Sequence, residues 1–413
     1  MDHLTALPYP ARSPIFDALN PADLMTAKKL SWALRCQVSQ YERTTFGLNA
    51  IYGPFFKSFD DIERFRTFQS DSGALVSGSV LVRVLSRRGF TPSDLDLFVR
   101  TGRVLDSGKL LGSLGYKFKP LSTVMEGKRV KSLEQSPVFP EAVDAALASH
   151  HPGAGTVAER YDDCSVAGVF NFRNEDGMNV QVVATKGEPV EAILGFYSTL
   201  VMNVATATQV VSLYPMTSFV KRWAMYLRPY TWSVIHARIK YEFRGWQSVD
   251  MVTAAQAASV DNELSVKTRW FGDRHCWIID LPPLANPVSK RDAFHSLKVT
   301  SWSLRYSAVS GARILVNRMT LPSLSSSYVI TWEAERAVWH HPCFRSLDPS
   351  RVAEVIRIAP PSDPGDEDAS SVSGVARLEG DGPGEVPDIA VGDEVVETDV
   401  AQDDDSVRTR FFA

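Results

Sequence analysis

Residues 74–99 constrain this chain more than any other stretch. Ala74-Leu75-Val76 is a short apolar run ending in Ser77-Gly78-Ser79. Val80 to Arg88 follows and stops at Gly89, and Leu95 to Val99 resumes behind Thr91-Pro92-Ser93 and Asp94. The pattern reads as strand, tight turn, helix with Gly89 as C-cap, then strand. Side chains two apart on a strand share a face, with Cα atoms roughly 6.5–7 Å apart. Asp94 and Asp96 therefore look to one side, while Leu95, Leu97 and Val99 look to the other. Two carboxylates on one face can hold magnesium, which keeps coordination positions open for substrate phosphates. Gly78 lets backbone approach a phosphate closely, and the helix starting at Ser79 offers free N–H groups and a hydroxyl.

On these residues the chain resembles a known family. Val76-Ser77-Gly78-Ser79, then Ser93-Asp94-Leu95-Asp96-Leu97, is similar to the signature of the polymerase-β-like nucleotidyltransferase superfamily. The 14-residue gap between Ser79 and Asp94 is slightly longer than that family's usual spacer. The resemblance implies an α+β fold with a mixed β-sheet nucleotidyltransferase-like core. It also implies metal-binding, catalytic-type positions at Asp94 and Asp96, nucleotide contacts at Gly78 and Ser79, and a third carboxylate on a neighbouring strand. The matching strand is Asn179-Val180-Gln181-Val182-Val183, so the third position falls to Gln181. An amide oxygen can ligate a metal but brings no charge, which weakens the hold on two dications. Asp162, Asp163 and Asp176 are the nearby acids, none within a predicted strand. The expectation is magnesium–nucleotide triphosphate binding, with nucleotidyl transfer weak or lost.

Most of residues 20–280 is also similar to a group of largely uncharacterised fungal proteins of this architecture, described as F-box-like at the N-terminus. The resembling stretches include Phe196-Tyr197-Ser198-Thr199, Val201-Met202-Asn203, Lys240-Tyr241 and Arg244-Gly245-Trp246, and in that group glutamine is usual at the third position. Leu19-Asn20-Pro21-Ala22-Asp23-Leu24 resembles an F-box opening. That implies an alternative function: an adaptor docking the linker protein of a cullin–RING ubiquitin ligase through Leu19, Pro21 and Leu24, with Leu24, Leu30, Trp32 and Leu34 as its apolar face. The competing reading has these residues packing on the domain that follows.

The expected organisation is a helical, F-box-like segment at 1–66 and the core at 67–215 with a flexible insertion at 120–163. An accessory α/β domain at 216–358 and a disordered acidic tail at 359–413 follow. From Pro360 onward 15 acidic residues face 3 arginines, a net charge of −12, while the body carries 41 basic and 33 acidic residues, or +8. A mildly basic body suits a phosphate-bearing ligand. Nucleic acid is not strongly indicated, since Lys128, Arg129 and Lys131 fall in the insertion. Helices are expected over Ala22–Leu34, Val38–Ile51, Asp60–Phe68, Leu110–Gly115, Glu188–Ala207 and Phe219–Arg244. Strands are expected at Tyr116–Phe118, Gly168–Phe172, Asn179–Ala184, Cys276–Leu281 and Val299–Ser307. The uncharged run Ala192–Val220 holds too many polar residues for a bilayer and reads as a buried helix and turn. Arg83, Arg87 and Arg88 read as a solvated helix face, and Arg222, Trp223, Trp302 and Arg305 as candidates for an accessory cleft. Four dispersed cysteines and the His340-His341-Cys343 cluster lack zinc spacing. No secretory signal or membrane span is read, so the location expected is intracellular, cytoplasmic or nuclear.

Overall fold

Asn20 and Asp23 tie the chain's entry into the helix at Pro21–Leu30. In the computed structural model, which describes residues 8–90, 94–121, 135–148, 165–227, 232–285, 297, 300–307 and 311–318, they form a reciprocal capping box. Among the described residues five helices come first: α1 (Tyr9–Ala18), α2 (Pro21–Leu30), α3 (Trp32–Thr45), α4 (Leu48–Tyr52) and α5 (Phe59–Ser72). Ser31 Oγ accepts from the Leu34 amide, so the helix expected over 22–34 breaks there and restarts as α3. Serine competes for backbone donors in this way wherever a new helix can start behind it.

The sheet has eight strands. In chain order they are β1 (Leu75–Ser77), β2 (Leu95–Arg100), β3 (Lys117–Lys119), β4 (Val166–Arg173), β5 (Asn179–Thr185), β6 (Asn203–Ala205), β7 (Gln209–Ser212) and, after two-stranded β8 (Trp223–Met225) and β9 (Gln247–Val249), β11 (Trp277–Asp280). Their order across the sheet is β11-β7-β6-β1-β2-β5-β4-β3. Only β2 and β5 run parallel, so the sheet is mixed. A separate three-stranded sheet joins β10 (Arg269–Trp270), β12 (Thr300–Ser307) and β13 (Gly311–Arg318).

Period-two alternation sorts the strands between two buried clusters. Val76, Leu95, Leu97, Val99, Val180 and Val182 pack with Phe16, Leu24, Val38, Tyr41 and Phe65 from the opening helices. Leu75, Phe98 and Val183 pack on the other face with Tyr214, Met225, Tyr241, Trp246 and Trp302. The core therefore runs across the boundaries expected at 66 and 215, and β11 closes the sheet edge from beyond the second. Helix α6 (Ser79–Ser86) lies between the clusters, with Val80, Leu81 and Val84 on one side and Val82 on the other. Burial on both sides outweighs the weak helix propensity of its three valines.

Several expectations are corrected. The run over 188–220 is not one helix: it forms α9 (Pro189–Leu194), a 3₁₀ turn at Thr199–Val201, strands β6 and β7, and one π turn at Met216–Val220. Its apolar residues lack a period, and Thr206 ties the β6–β7 turn by accepting from the Thr208 and Gln209 amides. Residues 219–244 contain β8 and helix α10 (Trp232–Phe243) rather than a continuous helix. Within the expected insertion, α8 (Phe139–Ala148) follows α7 (Val104–Ser113), and Phe139 packs on Phe118, Phe170 and Phe172. Residues 122–134 and 149–163, the 350–358 segment, the acidic tail and His340, His341 and Cys343 lie outside the described residues.

Helix α6 ends not at Gly89 but on Arg87, held at φ 54° in the left-handed region. Its guanidinium donates to the carbonyls of Phe16, Asp17 and Leu19 and to Tyr41 Oη, which fixes the opening helices to the core. Arg83 donates to the Ala50 carbonyl, and Arg88 to that of Arg244. None of the three forms a solvated face. Pro21, Leu24 and Leu34 are buried and Leu19 packs against the core, so the large exposed apolar groups here are Ile15 (40%), Leu30 (55%) and Trp32 (78%). Among the described residues no helix is long and apolar enough to cross a membrane.

Candidate metal–nucleotide cleft

Strand register assembles the site. Ser77 pairs with Asp96, Asp96 with Gln181, and Gln181 with Asn171, so one row of polar side chains crosses β1, β2, β5 and β4 on a single face. Gln181 thus stands directly beside Asp96, as the alternation of both strands requires. Its amide nitrogen donates to Asn171 Oδ1 at 2.9 Å. Ser77 Oγ donates to the Asn203 carbonyl at 2.6 Å and belongs to the β1–β6 seam. Two residues before Asp96, Asp94 Oδ1 accepts from Asn179 Nδ2 at 3.1 Å, and the two carboxylates lie within electrostatic reach of each other.

Gly78 joins strand to helix at φ 83°, ψ −155°, a combination that only glycine adopts without strain. A Cβ there would stand 2.1 Å from Asp96 Oδ2. The carboxylate oxygen thus occupies the space that any other residue would fill, and the bend and the acid require each other. Ser79 begins α6, so its end of the helix opens on the same space.

A cleft lies over this row. Gly78, Ser79, Asp96 and Gln181 form its polar floor, Phe98, Phe196, Tyr197 and Val201 a wall, and Lys240 and Tyr241 of α10 the far side. Tyr197 stacks on Tyr226 at 6.1 Å and is hydrogen-bonded to Tyr241. Desolvation pushes the Asp96 carboxyl up to about 8, helped by the charge of Asp94 and opposed by that of Lys240. Burial lowers Lys240, with Arg244 adding to the effect and Asp96 and Asp94 opposing it. Among the described residues no donor hydrogen-bonds the Asp96 oxygens.

The donor set fits one hard cation. Asp96 offers a carboxylate that no donor among the described residues hydrogen-bonds, and Asp94 adds a second carboxylate within electrostatic reach of it. Among the described residues no third carboxylate, histidine or cysteine joins them. Asp176 sits instead in the β4–β5 turn, ion-paired to Lys57, and Asp162 and Asp163 lie outside the described residues. Trp302 is fully buried with its Nε1 donating to Tyr214 Oη, so it lines no cleft.

Reading the sequence for chemistry missed Lys240, Tyr241, Phe196 and Tyr197 as cleft residues. The available signal was the single lysine set beside tyrosine on the apolar face of α10, and two aromatics heading an uncharged run. No family model, no curated protein and no solved structure matches the chain.

Proposed function

We propose that this chain is a nucleotidyltransferase-type protein that binds a magnesium–nucleoside triphosphate in the cleft, with nucleotidyl transfer weak or lost. The observation that carries this reading is the row Ser77–Asp96–Gln181 beside a glycine bend that only Asp96's carboxylate can share. Asp94 and Asp96 would hold the ion, which supplies charge neutralisation for the triphosphate. Gly78 and the Ser79 end of α6 would meet phosphate oxygens, since a helix N-terminus favours anions. Gln181 removes one negative charge from the third position, which supports binding over turnover.

Thermal denaturation tests it. Magnesium with a nucleoside triphosphate at a hundredfold excess over its dissociation constant should stabilise the parent protein by about 2.7 kcal/mol. Asp94→Asn should abolish most of that response. Absence of any shift at millimolar ligand would count decisively against the cleft as a nucleotide site.

One observation favours a second reading as an adaptor: Trp32 and Leu30 project at the α2–α3 corner, 78% and 55% exposed. A partner surface there would use these two residues. Leu24 and Pro21 are spent on the core.

A further inference from the structure

The cleft's carboxylate, Asp96, already shares its space with a cation of the protein's own, and Asp94 lies close by. Lys240 lines the same space as Asp96, and its ammonium lies within electrostatic reach of both Asp96 and Asp94. Arg244, just past the end of α10, packs on the Phe90 and Tyr241 rings, and among the described residues Lys240, itself 5.8 Å from the Tyr241 ring centre, is the cation that lines the cleft. Across the floor, the register that would carry a third acid carries Gln181, whose amide nitrogen is committed to Asn171. An acid pair and one ammonium therefore meet here, in surroundings too poor in oxygen anions to hold two dications against their mutual repulsion.

Resting on the metal–nucleotide reading above, we infer that the cleft takes a single divalent cation with its triphosphate, and that the Lys240 ammonium supplies the positive charge a second ion would bring. Lys240 is then a positioning residue for the triphosphate. Its charge acts with opposite signs on the two ligands: it repels a free cation and attracts the polyphosphate.

Manganese titrations of the full chain followed by electron paramagnetic resonance test this, with and without a non-hydrolysable nucleoside triphosphate. The parent protein should bind one Mn²⁺ with nucleotide present. Lys240→Met should bind free Mn²⁺ about tenfold more tightly and the triphosphate about tenfold more weakly, as loss of one nearby positive charge requires. A lysine that only supported the fold would weaken both. Gln181→Glu or Gln181→Asp should raise the count to two ions. Two ions on the parent protein would overturn the single-ion inference and leave nucleotide binding intact. Parallel weakening of both ligands in Lys240→Met would overturn the role of Lys240. Failure of the parent to bind either manganese or nucleotide would overturn the underlying reading, and this inference with it.

Discussion

Asp96→Asn will be more stable than the parent protein in metal-free buffer at alkaline pH, and it will lose its response to magnesium. In the unfolded chain this carboxyl ionises near its ordinary value of about 4. In the fold, burial and Asp94 hold it at about 8. Between those values the unfolded chain releases its proton first, so the parent loses stability as pH rises and carries the full penalty above about 8. The difference corresponds to about 6 kcal/mol for an isolated buried group, which partial exposure to the cleft reduces to about 1–3 kcal/mol. The gain from Asp96→Asn should be absent near pH 4 and greatest near pH 9, read from urea midpoints at constant m-value. Saturating magnesium should erase the difference by stabilising only the parent. Equal destabilisation of Asp96→Asn at both pH values would mean that the carboxylate is a structural partner.

Gly78→Ala should damage the fold and the cleft together. Its backbone conformation costs a residue with a side chain about 1–3 kcal/mol. Beyond that, a methyl group 2.1 Å from Asp96 Oδ2 must push the carboxylate aside or shift α6. Gly115 provides the control: it also has positive φ (84°), but nothing lies within 4 Å of its Cβ position. Gly115→Ala should therefore lose only the backbone contribution, about 1 kcal/mol. Gly78→Ala should lose about 3 kcal/mol or more and its nucleotide response. Denaturation of the two variants side by side checks this, and similar losses in both would show that the contact with Asp96 costs nothing.

The legible parts of this molecule were those governed by local periodicity. Residues 75–100 and 166–185 gave their strands, turn and helix from alternation and turn chemistry, and the same alternation put Gln181 beside Asp96. The stretch 188–220 was illegible because an apolar run without a period fits a buried helix and a buried strand equally well. Here β6 and β7 are central strands that show no polar face, so nothing marked them. Arg87 looked like a surface residue because its carbonyl partners lie 68–71 residues away. Asn20 and Asp23 form a helix capping box, and the same residues open the F-box-like pattern, so the local sequence alone serves either reading. Lys240 escaped for a related reason: a lysine on an amphipathic helix reads as solvated until tertiary packing turns it toward Asp96.

Anomalous scattering from crystals grown with Mn²⁺ and a non-hydrolysable nucleoside triphosphate tests the central claim most directly. The account predicts one manganese peak bridged by the Asp94 and Asp96 carboxylates, with phosphate density between Ser79 and Lys240. Manganese and triphosphate bound elsewhere on the molecule, with this cleft holding neither, would contradict it.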